Sequence, residues 1–159
     1  MRIRYSIIAA LAVSLAVAPA HASSGFVATL DGLQEVPPNA SPASGTGFFV
    51  LDNTGTQLTY SVTYSGLTAN RTAAHFHGPA LPGVNAGVVF PIAGTGPTSG
   101  NISGTWAIDP TNVTRLNSGL LYVNIHTGNF PGGEIRGQVV PDATPARSTS
   151  WGKIKALYR

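Results

Sequence analysis

Three of the four histidines of this chain lie in two short runs whose residue types and spacing suit metal chemistry. His75 and His77 belong to the run AHFHG, and His126 belongs to the later run VNIHT. Alternate residues of a β-strand project from the same face, so His75 and His77 would point in one direction on a strand. An imidazole from a second strand would complete a cluster of three. The chain contains no cysteine, which leaves imidazole and oxygen groups as the available ligands.

A carboxylate in the run PGGEIRGQ extends this candidate site. We predict that Glu134 is either a fourth, oxygen ligand or the acceptor for an imidazole N–H. Three imidazoles suit copper, zinc or iron rather than calcium or magnesium, which prefer oxygen shells. The sequence therefore predicts a copper, zinc or iron site formed by His75, His77, His126 and Glu134. Glu35, in the run QEVPP, is an alternative oxygen ligand if its loop reaches the histidines.

Two other interpretations of the same residues stay open. The histidines, Asn124 and Glu134 could form a hydrogen-bonded polar cluster that fixes two strands and a loop, because buried polar groups normally find such partners. Alternatively, Arg136 and the histidines could recognise a carboxylate or a sugar. Glu134 and Arg136 stand two apart on one strand face, and the commonest outcome for such residues is an ion pair between them or across to a neighbour.

The elements that must position these residues are short strands. The chain has 19 glycines, 12 prolines and only 9% charged residues, a composition typical of strands joined by turns. We predict an all-β fold, an antiparallel Greek-key-like β-sandwich or barrel of about eight strands arranged as two packed sheets. One short helical crossover is expected at 109–118, capped by Asp109. The expected strands are 26–30, 47–51, 57–65, 73–77, 87–92, 101–108, 120–126 and 134–140.

Strand parity places the candidate ligands on one side of the sheet. If Phe76 faces the core, His75 and His77 face outward. In the segment 120–126 the apolar alternate residues face inward, which turns His126 outward. Glu134 falls on the outer face of the last strand by the same argument. The proline-rich segment 34–44 cannot pair along its length and is expected to be a loop at one end of the fold.

The ends of the chain carry signals of a different kind. Residues 1–22 have a basic start, an apolar run and a small-residue cleavage site, which predicts a signal peptide and a secreted, periplasmic or cell-surface protein. The apolar run is too short for a stable membrane span, so no transmembrane segment is expected. After a domain at 23–141, we predict a linker at 142–150 and a basic amphipathic tag at 151–159. The tag would dock on its own domain, meet the sorting machinery or contact a surface.

Charge excludes one class of partner. Between residues 23 and 141 there are three basic and five acidic side chains, a balance of −2. Such a body has no stripe of basic residues that could bind phosphates, so no nucleic-acid partner is expected.

Four motifs resemble a known family in order and content. They are LDGLQEVPP at 30–38, AHFHG at 74–78, LYVNIHT at 121–127 and PGGEIRGQ at 131–138. Together they resemble the CHRD domain, named for chordin, over about residues 24–140. The resemblance implies an exported all-β module. The His-x-His strand with its downstream histidine is also similar to copper/zinc superoxide dismutase, a Greek-key β-sandwich whose metal ligands lie on the outer face.

These observations favour a binding module rather than an enzyme. The chain has no Gly-x-Ser-x-Gly turn and no cysteine nucleophile, so hydrolysis by a nucleophilic side chain is poorly supported. The first prediction is an exported module that coordinates a transition metal. The alternatives are an extracellular protein-binding or glycan-binding module without metal, and a metalloenzyme that resembles superoxide dismutase.

Overall fold

The structure is a computed structural model and describes residues 23–142. The predicted signal peptide at 1–22, the tag at 151–159 and all of the linker except Asp142 lie outside the described residues.

Nine strands and one α-helix make up the described part of the chain, together with a short 3-10 turn at Gly32–Gln34. The helix α1 spans Pro110–Asn117, and the strands are β1 Ser24–Asp31, β2 Ser44–Leu51, β3 Gln57–Ser65, β4 Arg71–His77, β5 Val88–Ala93, β6 Gly100–Ala107, β7 Tyr122–Thr127, β8 Ile135–Gln138 and β9 Val140–Pro141.

The strands form one continuous antiparallel sheet that curls into a nearly closed barrel. Its order is β5-β4-β7-β8-β1-β2-β3-β6, and β9 pairs with β1 beside β8. The two end strands meet where Phe90 of β5 stacks on Trp106 of β6, with ring centres 4.8 Å apart. The predicted antiparallel, barrel-like all-β class is confirmed. The expected pair of separate sheets is wrong, because β1 pairs with β2 on one side and with β8 and β9 on the other.

Most predicted elements form close to their expected bounds. The strand predicted at 57–65 has those bounds, and Asp109 caps α1 by accepting a hydrogen bond from the Asn112 amide at 2.9 Å. The single strand predicted at 134–140 is instead divided into β8 and β9. The division occurs at Val139, whose amide donates to the carbonyl of Leu121 while β9 turns to pair with β1.

The interior of the barrel is apolar and rich in aromatic rings. Phe76 of β4 is 0% exposed and makes edge contacts with Phe49 and Tyr60 and a tilted contact with Trp106, at ring distances of 5.3–5.9 Å. Aromatic pairs of this kind stabilise a core beyond their buried area. Because Phe76 is anchored inside, the flanking His75 and His77 must project from the outer face of β4.

Two loops cover the outer face of β4, β7 and β8. The first follows β1 and contains the predicted proline-rich loop. The second connects β4 to β5, and Asn85 in it donates to the carbonyl of Val36 in the first loop at 2.9 Å. Polar residues on the outer face of these strands are therefore largely shielded from solvent. Within residues 23–142, no helix has the length and apolar character needed to cross a membrane.

Candidate metal centre

The order of the strands brings the three histidines together. β4 and β7 are adjacent, with His75 opposite Asn124 and His77 opposite Tyr122. His126 lies two residues beyond Asn124 on the same face of β7, so it is a diagonal neighbour of His75. One ring nitrogen from each of His75, His77 and His126 lies within 4.8 Å of the other two. His75 Nδ1 and His126 Nε2 are 3.1 Å apart.

Backbone carbonyls fix the orientation of two of the rings. His77 Nδ1 lies 3.0 Å from the carbonyl oxygen of Ala86, and His126 Nδ1 lies 3.0 Å from that of Pro131. A carbonyl accepts only, so both Nδ1 atoms carry the proton and both Nε2 atoms present a lone pair. His77 Nε2 is buried and has no hydrogen-bond partner among the described residues. This is the tautomer that metal-binding histidines adopt when a second group orients the ring.

Burial keeps the three imidazoles neutral. It lowers the pKa of His75, His77 and His126 below 6.5, although the hydrogen bonds to Ala86 and Pro131 oppose the shift at His77 and His126. The positive charge of Arg136 adds to the lowering at His77. Neutral imidazole is the form that binds metals, so the cluster is in its ligating form at neutral pH.

The residues fit a transition-metal ion. Nitrogen ligands bound at about 2 Å lie roughly 3.3–3.6 Å apart around a tetrahedral or trigonal ion. The His75–His126 pair, at 3.1 Å, is within a few tenths of an ångström of that spacing, and no separation in the cluster exceeds 4.8 Å. His75 is half-buried while His77 is 8% and His126 is 9% exposed, so the site is shielded on two sides and approached from the third.

Glu134 is not part of this group, contrary to the sequence-based expectation. Its carboxylate is fully buried, and it accepts hydrogen bonds from the Ser41 hydroxyl at 2.7 Å, the Thr68 amide at 2.7 Å and the Thr127 hydroxyl at 2.6 Å. Burial opposes its ionisation, but these three bonds outweigh burial and hold the pKa of Glu134 below its ordinary value. Glu134 immediately precedes β8 and holds together Thr127 of β7 and the loops that carry Ser41 and Thr68. No imidazole donates a hydrogen bond to it.

Glu35 is not part of the histidine cluster either. Its side chain is 5% exposed, and its Oε2 accepts a weak hydrogen bond at 3.4 Å from the Asn124 side chain. Glu35 Oε1 and Asn124 Oδ1 are buried without a partner among the described residues. Burial raises the pKa of Glu35 to about 7, against the lowering effect of Arg136. A protonated Glu35 carries an O–H donor, which the ionised carboxylate lacks.

The aromatic residue Tyr122 and the basic residue Arg136 lie beside the histidines. Their association was not predicted from the sequence. Tyr122 stacks on His77, with ring centres 5.0 Å apart and planes 10° apart. The guanidinium carbon of Arg136 lies 3.7 Å from the centre of the Tyr122 ring. Arg136 is 1% exposed and donates to the carbonyl of Val84 at 3.2 Å and to the side chain of Asn85 at 3.3 Å. The expected Glu134–Arg136 ion pair does not form. Strand parity could have found Tyr122, which shares a face with His126.

Comparison with known proteins agrees with this architecture. The CHRD domain family model matches residues 26–139, which is most of the chain. The chain belongs to the CHRD family. No curated protein matches the chain. The matched span begins in β1 and ends at Val139, so it takes in every strand that carries a residue of the histidine cluster.

Family membership sets the general class of function. CHRD domains are typically extracellular binding modules. The cluster of His75, His77 and His126 lies inside the CHRD domain and can hold a metal ion.

Proposed function

We propose that this CHRD domain is an exported module that coordinates a transition-metal ion, copper, zinc or iron, through His75, His77 and His126. The observation that carries the proposal is the convergence of three imidazoles within 4.8 Å, two of them oriented by backbone carbonyls. Orienting the rings through Nδ1 leaves the Nε2 lone pair of His77 unpartnered and directs that of His126 at His75, so the ligand atoms are largely ordered before an ion replaces the His75–His126 hydrogen bond.

The buried Nε2 atom of His77 supports the proposal independently. Burying a polar atom without a partner costs about 1–3 kcal/mol in protein mutational data. A bound ion removes that cost, because the lone pair then becomes a ligand. The hydrogen-bonded-cluster interpretation does not account for this atom, since only the His75–His126 contact joins two of the rings by a hydrogen bond.

Metal analysis of untagged protein tests the proposal. The protein is stripped with a chelator, reloaded with copper, zinc or iron in turn, desalted and measured by mass spectrometry. We expect one ion per chain, lost in His77→Ala and in His126→Ala. Thr72→Ala, an exposed position on the same strand β4, is the matched control and should retain the ion. Absence of any stoichiometric metal from the parent protein rejects the proposal.

An assay of superoxide decay on the loaded protein separates binding from catalysis. The half-buried His75 leaves one side of the cluster open to a small molecule. Redox turnover needs such an open position on the ion. Decay that is no faster than that given by the His126→Ala protein supports binding without catalysis.

A second candidate function, protein binding, is favoured by an apolar row on the outside of the barrel. Phe48 is 62% and Val140 is 42% exposed, and both lie opposite Val27 on its two sides. Three apolar residues side by side across neighbouring strands form a patch of the kind that extracellular partners cover. Phe48→Asp should abolish binding of such a partner, whereas Thr46→Asp on the same face of β2 should not. A partner retained equally by both variants would argue against this surface.

A further inference from the structure

The histidine cluster contains no negatively charged ligand. Three neutral imidazoles make up the group, and no carboxylate of the described residues belongs to it. Glu134 is engaged by Ser41, Thr68 and Thr127, and Glu35 is bonded to Asn124. The charge of an ion bound here is therefore not neutralised by its ligands, and the site is shielded from solvent. The desolvation penalty of an ion rises with the square of its charge, so a monovalent ion suits such a site better than a divalent one.

A buried cation beside the cluster strengthens this preference. Arg136 lies over Tyr122, and Tyr122 stacks on His77. By the sum of these two distances, the guanidinium carbon lies within about 9 Å of the centre of the His77 ring. In residues 23–142 no carboxylate accepts a hydrogen bond from Arg136, which donates to Val84 and Asn85 instead. Without a carboxylate bonded to it, Arg136 repels a divalent ion twice as strongly as a monovalent one.

Among the metals that imidazole binds, copper is the one with an accessible monovalent state. Zinc is divalent only, and iron binds nitrogen ligands more weakly in its divalent state. Three nitrogen ligands are also a sufficient shell for Cu(I), whereas divalent ions take four or more. We infer that the site formed by His75, His77 and His126 is selective for copper in the Cu(I) state, and that Arg136, stacked over Tyr122, strengthens this preference through its charge. The inference rests on the proposed metal-binding function.

The size of the Arg136 effect follows from its distance. A unit charge about 10 Å from the ion, at an effective dielectric constant near 20, changes the ratio of Cu(I) to Cu(II) affinity by roughly tenfold. Arg136→Gln should lower that ratio by about tenfold, which corresponds to a fall of about 59 mV in reduction potential. Arg136→Lys keeps the charge and should leave the ratio close to that of the parent protein.

The experiment uses metal-free, untagged full-length protein and the metal ions alone. Cu(I) affinity is measured anaerobically, with ascorbate, by competition with a Cu(I)-specific chromophoric chelator. Cu(II) and Zn(II) affinities are measured with chelators of their own. We expect Cu(I) to bind more tightly than Zn(II), since no anionic ligand assists the divalent ion. Circular dichroism checks that each variant is folded.

Glu35→Gln supplies a test of opposite sign that does not disturb Arg136. At pH 8 most of the parent protein carries a negative charge at Glu35 that partly compensates Arg136. Removing that charge should raise the Cu(I) to Cu(II) ratio, by less than tenfold because Glu35 lies beyond Asn124.

The outcomes separate this inference from the function on which it rests. If the parent protein binds none of the three ions, the proposed function fails and the copper assignment fails with it. If Zn(II) binds as tightly as Cu(I), the metal-binding function stands and the copper inference is overturned. An unchanged ratio of Cu(I) to Cu(II) affinity in folded Arg136→Gln would show that Arg136 does not strengthen the preference. If that variant does not fold, an unchanged ratio in Glu35→Gln would show that charges at this distance do not affect the ion.

Discussion

Replacing Glu35 by glutamine should change how the stability of this protein depends on pH. Glu35 is buried against Asn124, with one unpartnered oxygen on each side chain. A glutamine amide reproduces the hydrogen-bonding pattern of the protonated acid, because its N–H can donate to Asn124 Oδ1 while its carbonyl accepts from Asn124 Nδ2. It carries no proton to lose, so it remains in the neutral form at every pH.

The magnitude follows from the pKa of Glu35. Folding raises this pKa from 4.5 to about 7, so between these values the folded protein binds more protons than the unfolded chain. Stability from this source is fully present below pH 4.5 and is lost as the pH rises through 7. From pH 5 to pH 8 the parent protein should therefore lose about 2.5 kcal/mol of unfolding free energy that the Glu35→Gln variant does not lose.

Urea denaturation of metal-free protein, followed by tryptophan fluorescence at pH 5, 6, 7 and 8, measures this difference. The quantity to plot is the unfolding free energy of Glu35→Gln minus that of the parent. The histidines also titrate in this range, but their contribution is common to both proteins and cancels. We expect the difference to increase with pH by about 2–3 kcal/mol. A difference that is flat across this range, or that falls with pH, would refute the view that Glu35 is held protonated by burial.

Three further predictions concern the same face of the barrel. Glu134→Gln should lower the unfolding free energy by about 1–3 kcal/mol in urea titrations, because a donor then faces the Ser41, Thr68 or Thr127 donors. It should still bind one metal ion per chain, and loss of the ion without loss of stability would restore Glu134 as a ligand. Gly133→Ala should destabilise by about 2–4 kcal/mol, because Gly133 has a φ of 135° and a Cβ there meets Asn124 and Glu35. Gly132→Ala is its control, having open space and no left-handed φ, and equal effects would contradict the packing described. Metal affinity should be constant from pH 8 to 6.5 and fall below it, since burial lowers the pKa of all three histidines beneath 6.5. Competition titrations that show affinity falling already above pH 7 would show that the imidazoles are not held neutral.

Local patterns predicted the direction of the three histidines well. The alternation around Phe76 and along 120–126 placed the histidines on the outer face, and the structure has them there. Asp109 caps the helix as expected, since capping depends on residues next to each other in the chain. Parity and capping are local, so one sequence is enough to infer them.

Adjacency of strands could not be inferred in the same way. Nothing near His126 indicates that β7 pairs with β4, because the pairing depends on the route of the whole chain around the barrel. The stack of Arg136, Tyr122 and His77 depends on the order β4-β7-β8 and was missed for that reason. Glu134 was expected beside the histidines, whereas its hydrogen-bond partners are other residues. Its partners Ser41 and Thr68 come from loops whose paths are fixed by tertiary contacts.

A crystal of copper-loaded protein, measured at wavelengths on both sides of the copper absorption edge, tests the central claim most directly. We expect a single strong anomalous peak on the outer face of β4 and β7, about 2 Å from one nitrogen of each of His75, His77 and His126. Glu134 should remain bonded to Ser41, Thr68 and Thr127. A peak elsewhere on the protein, or none at this cluster in fully loaded crystals, would contradict the account.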